Sequence, residues 1–182
     1  AVADNVVLDL KYEARDVPQQ LTSQEKIDQW FEVKTKNLNG YQKAELRKKW
    51  ARMENLLSAG ERKQRIIASI IEDFDLRPRL NDDRGTAILV AASIYDACHY
   101  FRLFQETAFG KYVGVVTSYQ PNHNAISRES IGGDERYKFD TYVNDVLKDE
   151  YQSTEKYEEE IKRRFINEPA NCKLLIVVRK LL

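Results

Sequence analysis

The sequence predicts an α/β fold: a partial parallel sheet flanked by helices and preceded by a helical segment. Three observations carry that prediction. Residues 22–75 place apolar side chains at helical spacing, residues beyond Arg77-Pro78 alternate short apolar runs with amphipathic stretches, and the last run, Lys173 to Val178, is again of strand length. The order β, α, β, α, α, β over this second part implies right-handed crossovers and parallel pairing.

The elements follow in order. Val6, Leu8 and Leu10 alternate with Asp9 and Lys11, which predicts one half-buried strand ending before Pro18. Thr22 followed by Glu25 is a capping-box signature, and Ile27, Trp30 and Phe31 supply the apolar face of a first helix. After the breaker cluster Asn37-Leu38-Asn39-Gly40, a second helix aligns Leu46, Trp50, Met53 and Leu57, with Glu45 and Lys49 able to pair on its polar side. Gly60 is expected to punctuate, and Ile66, Ile67, Ile70, Ile71 and Phe74 mark a third helix.

Past the loop Asn81-Asp82-Asp83-Arg84-Gly85, Thr86 to Ala92 is a continuous apolar run, as expected for a parallel strand covered on both faces. Ser93 with Asp96 can cap the helix that follows, and a second strand is expected at Lys111 to Thr117. Helices at roughly 134–148 and 154–167 precede the strand at 173–178. In the last helix Tyr157, Ile161 and Phe165 form an inward stripe. Glu158, Glu159 and Glu160 stand four residues before Lys162, Arg163 and Arg164, a solvated face of ion pairs. The expected organisation is a strand and connector over 1–17, a helical subdomain or insertion over 18–78, and the sheet-bearing part over 79–182.

Composition limits the function classes. A chain of 182 residues buries roughly 70% of its extended surface and needs no staples. An apolar fraction of 42% with 32% charged residues is that of a globular protein. No apolar stretch nears the about 20 residues of a membrane span and no signal peptide opens the chain, so it reads as a soluble, cytoplasmic protein without a membrane partner. Lysine plus arginine, 29, equals aspartate plus glutamate, 29, which excludes a generally basic coat and leaves only a local nucleic-acid patch. Cys98 and Cys172 lie in apolar contexts, as buried thiols of a reducing compartment or as a disulfide, and not at metal-ligand spacing. The opening Ala-Val-Ala, with Met53 the only methionine, suggests a fragment.

Catalytic motifs are missing. The sequence has no G-x-x-x-x-G-K-[ST] loop, no G-x-G-x-x-G, no H-E-x-x-H and no G-x-S-x-G. Gly132-Gly133 lies in a polar loop and reads as a turn. His99 sits in an aromatic helix as a packed imidazole or a ligand, and His123 is a loop residue with no partner visible in sequence. No catalytic, metal-binding or cofactor-binding residue is assigned. In an open parallel sheet, ligands gather beyond the carboxyl ends of the strands, here Ala92-Ser93, Thr117-Ser118 and Arg179-Lys180. Ser93, Thr117, Ser118 and Lys180 are therefore the candidate nucleic-acid-binding residues, since hydroxyls, ammonium groups and helix-start N–H groups suit phosphate oxygens. Helix capping is the competing role for Ser93, and turn formation for Thr117 and Ser118.

Several words, in order, resemble the R subunits of type I restriction enzymes. Ala1-Val2-Ala3-Asp4-Asn5-Val6-Val7-Leu8-Asp9-Leu10-Lys11-Tyr12-Glu13-Ala14-Arg15 resembles the stretch after their first motor lobe. Ala87-Ile88-Leu89-Val90-Ala91-Ala92-Ser93 looks like their helicase motif IV strand and turn. Asn171-Cys172-Lys173-Leu174-Leu175-Ile176-Val177-Val178, then Lys180-Leu181-Leu182, looks like the strand leading into motif V, which in the family continues as Thr-Gly-Phe-Asp-Ala-Pro. Arg179 departs from the smaller or acidic residue usual there.

The resemblance implies that residues 79–182 begin a second RecA-like lobe and that 1–17 close the first. It implies a parent that is an ATP-driven, Mg²⁺-dependent translocase of double-stranded DNA with an attached endonuclease, working with modification and specificity subunits. ATP, Mg²⁺ and the nuclease site would be held by other parts of the parent, leaving this chain a DNA-facing wall and part of a hinge, inactive by itself and binding no cofactor. Two other readings stand beside it. One is a free-standing α/β regulatory or protein-interaction module. The other is a small nuclease or nucleotide hydrolase using Asp82 and Asp83, for which turn formation is the simpler explanation.

Overall fold

A computed structural model describes residues 12–17, 33, 35–36, 38–126, 133–148 and 150–178, with the side chains at 47, 49–59 and 125 not described. The strand expected around Val6 to Leu10 and the helix expected from Thr22 to Phe31 lie outside these residues. The chain divides into two compact units, Ala1–Arg65 and Ile66–Leu182.

Helix α1 spans Gly40–Leu76. Asn39 and Gln42 start it reciprocally: the Gln42 N–H donates to Asn39 Oδ1 at 2.9 Å and the Asn39 N–H to Gln42 Oε1 at 3.2 Å. The breaker cluster thus ends in a capping box, in which two N–H groups of the helix start find acceptors. The expected break at Gly60 is absent, because one interior glycine costs a helix only about 1 kcal/mol against alanine, too little to end it. Leu46, expected on an apolar stripe, is 41% exposed. The stripe from Ile66 onward behaves as the spacing predicts: Ile67 and Phe74 are buried, and Ile70 and Ile71 pack against the core.

In the second unit the short helix α2, Pro78–Asn81, leads to strand β1, Ala87–Val90. Helix α3, Ile94–Gln105, and a single 3-10 turn, Gly110–Tyr112, precede β2, Val113–Val116. Helix α4, His123–Ile126, and α5, Asp134–Asp140, follow. A π-helix over Thr141–Leu147 continues α5, so the helix expected from Asp134 to Lys148 forms with its second half widened. Lys148 ends it in the left-handed region at φ 48°. Helix α6, Thr154–Asn167, and β3, Leu174–Val177, complete the unit.

The three strands form a parallel sheet in the order β1-β3-β2. Val90, Val177 and Val116 stand in register, as do Ile88, Leu175 and Gly114. Every residue of β2 and β3 is buried, so both faces of these strands are covered, and the unbroken Leu/Ile/Val run of β3 follows from that. Strand β1 departs from the expectation of cover on both faces. It is one of two edge strands, and unlike β2 at the other edge it leaves Ile88 and Val90 51% and 69% exposed.

The reason lies in α6. Tyr157, Ile161 and Phe165 are buried as their spacing predicts. A β-carbon added to Gly114 would stand 2.4 Å from Ile161 Cγ1, so glycine lets this helix seat directly on β2. Gly114 shares its sheet face with Leu175 and Ile88, and α6 covers that face over β2 while β1 stays open. The Val115 N–H donates to the Tyr157 hydroxyl at 3.1 Å, satisfying a buried strand donor from the helix side. Ala97, Cys98, Phe101 and Phe104 of α3 and Tyr142 and Val146 of the π-helix join the same core.

On the polar side of α6, Glu158 pairs with Lys162 at 3.7 Å and Glu160 with Arg164 at 2.7 Å, four residues apart. Arg163 departs from the expected match with Glu159 and takes Glu160 at 2.8 Å and Glu168 at 2.6 Å. Cys98 and Cys172 are both buried free thiols.

Candidate nucleic-acid interface

The register Val90–Val177–Val116 brings the ends of all three strands to one edge of the sheet. Neighbouring strands lie about 4.8 Å apart, so Ala91 to Ser93 and Thr117 to Ser118 leave that edge on either side of β3, roughly 10 Å from each other. The sheet thereby gathers three sequence-predicted residues, Ser93, Thr117 and Ser118. Lys180, like Arg179, lies outside the described residues.

Each of the three has a distinct environment. Ser93 is exposed and is the N-cap of α3: its hydroxyl accepts the Asp96 N–H at 3.1 Å and donates to Asp96 Oδ2 at 3.0 Å. Thr117 is 1% exposed. Its hydroxyl meets the Tyr142 hydroxyl at 2.5 Å and accepts the Tyr119 N–H at 3.1 Å, so turn chemistry is its local role. Ser118, between those two anchors, is exposed.

Residues that the sequence reading did not single out complete the edge. The Tyr119 ring lies 5.1 Å from the Tyr142 ring, with the Lys138 ammonium 5.5 Å above it. Gln120 Nε2 donates to Glu155 Oε1 at 2.8 Å, tying the loop after β2 to the first turn of α6. Burial holds the Tyr142 hydroxyl protonated far above its ordinary range, against a smaller opposing effect of its bond to Thr117, so it remains a neutral partner. Beside α3, Tyr95 and Tyr137 pack at 5.0 Å, His99 meets Tyr137 edge-on at 6.3 Å, and the Arg102 guanidinium stacks on Tyr137 at 4.7 Å. His99 is therefore a packed imidazole. His123, expected in a loop without a visible partner, instead opens helix α4 and meets Phe139 edge-on at 4.8 Å.

A groove of about 510 Å³ opens beside the 3-10 turn, lined by Lys111, Tyr112, Glu160, Arg163, Arg164, Glu168 and Asn171. Its guanidinium groups are already engaged by Glu160 and Glu168. Gly133 is the N-cap of α5, and Gly132 lies outside the described residues. Asp82 binds Arg84 through both its carboxylate oxygens, and Asp83 takes the Lys173 ammonium at 2.5 Å across the strand entrance, so both carboxylates of the loop serve its geometry. Among the described residues no group of three or more His, Cys, Asp or Glu side chains could hold a metal ion, and no helix is long and apolar enough to cross a membrane.

Residues 83–182 match the family model of type I restriction enzyme subunit R, domain 3. The chain belongs to the type I restriction enzyme R-subunit family. No curated protein and no solved structure matches it significantly. The matched region of this R-subunit chain takes in the three strands of the described residues, both serines of the carboxyl edge and the π-helix behind them. The words Ala87 to Ser93 and Asn171 to Val178, which carried the resemblance, form β1 and β3 and their flanks, paired side by side.

Proposed function

We propose that this R-subunit chain is part of the ATP-dependent motor that moves double-stranded DNA past a type I restriction endonuclease, and that it supplies a DNA-facing wall and part of the interlobe hinge. The observation that carries the reading is the common edge at which β1, β2 and β3 end, within residues that match R-subunit domain 3. Open α/β sheets bind ligands at that edge, because loops leaving parallel strands can vary without disturbing the core.

Residues 1–17 close the first motor lobe, 18–78 form a helical insertion, and 79–182 begin the second RecA-like lobe. Ser118, exposed and flanked by anchored neighbours, faces the phosphate backbone, joined by Ser93 beyond the end of β1 and by Lys180, which follows β3 in sequence. Thr117 supports the contact from inside. Such contacts position a duplex and carry no base sequence, which suits a motor whose recognition is delegated to a specificity subunit.

The residues present do not fit a nucleotide or metal centre, as they include neither a glycine-rich phosphate loop nor a described acidic cluster. ATP, Mg²⁺ and the nuclease carboxylates belong to the rest of the parent, which works in the cytoplasm with modification and specificity subunits.

The test uses the R subunit carrying this chain, assembled with its partner subunits. Ser118→Glu should slow translocation along duplex DNA several-fold by repelling phosphate, and Ser118→Lys should not, with thermal stability unchanged in both. Ser93→Glu should act in the same direction. Equal rates in all three variants and the parent would refute the DNA-facing assignment. Thr117→Glu is unsuited to this test, since it buries a carboxylate in the core.

A further inference from the structure

We infer that Tyr142 is the positioning residue of the turn Thr117 to Tyr119, holding Ser118 at the carboxyl edge through a π-helix shaped for that purpose. The inference rests on the reading of that edge as the DNA-facing one.

Tyr142 is 1% exposed, and a phenol so deeply buried needs a polar partner. It finds the Thr117 hydroxyl, which has already closed the turn by accepting the Tyr119 N–H. Its ring also packs on Tyr119. One side chain therefore grips the residues on both sides of Ser118, and Ser118 itself is left facing outward.

The backbone behind Tyr142 departs from regularity. Helix α5 passes at Asp140 into π-helix over Thr141–Leu147, and the Lys148 N–H closes it on the Val143 carbonyl at 3.3 Å. Stretches of i→i+5 bonding are rare and concentrate at functional sites. The wider turn rotates each residue less than an α-helix does. It sets Tyr142 toward Thr117, Asp145 toward Arg102 and Val146 into the core together. The Asp145–Arg102 bond at 2.6 Å fixes the π-helix to α3, the helix that Ser93 caps, so both loops of the edge are referred to one frame.

Tyr142→Phe keeps the ring and removes the hydroxyl, and Thr117→Val removes the other half of the pair at nearly constant volume. In the assembled R subunit, Tyr142→Phe should speed amide hydrogen exchange in residues 117–120 by about tenfold, the fold-change expected for losing one hydrogen bond, and Thr117→Val, which also removes the acceptor of the Tyr119 N–H, should speed it further, with β3 left protected in both. Translocation should slow several-fold in each, with no loss in the double variant beyond that of Thr117→Val alone, and none added when Tyr142→Phe is combined with Ser118→Glu. Unchanged exchange at 117–120, or an undiminished loss of rate in the Ser118→Glu background, would overturn the inference. If Ser118→Glu alone leaves translocation intact while Tyr142→Phe still frees the turn, the DNA-facing reading fails and Tyr142 stands as the anchor of the turn.

Discussion

Arg102 Nε donates to Asp145 Oδ2 at 2.6 Å across 43 residues of sequence, joining α3 to the π-helix with each side chain about one-third exposed, 32% and 31%. Exposed ion pairs contribute about 0–1 kcal/mol and breaking a buried one costs about 3–5 kcal/mol, so loss of one partner here should cost roughly 1–2 kcal/mol. Asp145→Asn is expected to lower the urea midpoint of the full chain accordingly. The pair Arg102→Met with Asp145→Leu should lose less than Arg102→Met and Asp145→Leu do in sum, since no charge is then left without its carboxylate partner. A double variant worse than the sum of the singles would show that the contact is not the coupling term.

Gly114 and Ile161 predict a second outcome. Because a β-carbon on residue 114 would overlap Ile161 Cγ1 at 2.4 Å, Gly114→Ala should destabilise by about 1–3 kcal/mol through overpacking. Combining it with Ile161→Ala removes the colliding atoms, so the two effects should be less than additive in thermal melts. Strict additivity would mean that α6 does not rest on β2 through this contact.

Glu160 gives a pH dependence. Bonds from Arg163 and Arg164 hold its carboxyl down at about 2, below the ordinary value of 4.5. A carboxylate depressed in the folded state contributes stability above its unfolded pKa and loses it as pH falls through the folded one. The contribution of Glu160 is therefore whole above pH 4.5 and disappears between about 4.5 and 2. Glu160→Gln should lower the melting temperature slightly at neutral pH and converge with the parent chain near pH 2. Parallel curves across that window would contradict the assignment.

The two thiols should be silent in the native protein. Burial pushes Cys98 up to about 12 and Cys172 to about 11, with basic neighbours offsetting only part of the effect. At pH 8 neither should react with an aromatic disulfide reagent on the minute scale, and both should do so in denaturant. Rapid labelling of the folded chain would place one of them outside the core.

Much of the second unit was legible because its patterns are local. Tyr157, Ile161 and Phe165 announce their own burial by spacing, and Ser93 announces its cap by the Asp96 that follows. Gly60 misled, because a single interior glycine weakens a helix without ending it. Leu46 is 41% exposed, while the side chains of the other members of its stripe, Trp50, Met53 and Leu57, lie outside those described. At the candidate site, Ser118 was legible as the residue after a strand. Tyr142 was not, because nothing in Tyr142-Val143-Asn144-Asp145 reports that the helix widens there or that its hydroxyl meets a threonine 25 residues away.

The sequence by itself determined the α/β class, the three strands and the longer helices of the second unit, and the likeness to R subunits, since periodicity and short words are properties of neighbouring residues. Only the tertiary structure decided the strand order β1-β3-β2, the open face of Ile88 and Val90, and the burial of Thr117 beneath Tyr142. These depend on which surfaces meet after the chain folds back. Similar apolar runs at the two sheet edges become an open strand or a covered one according to what packs against them.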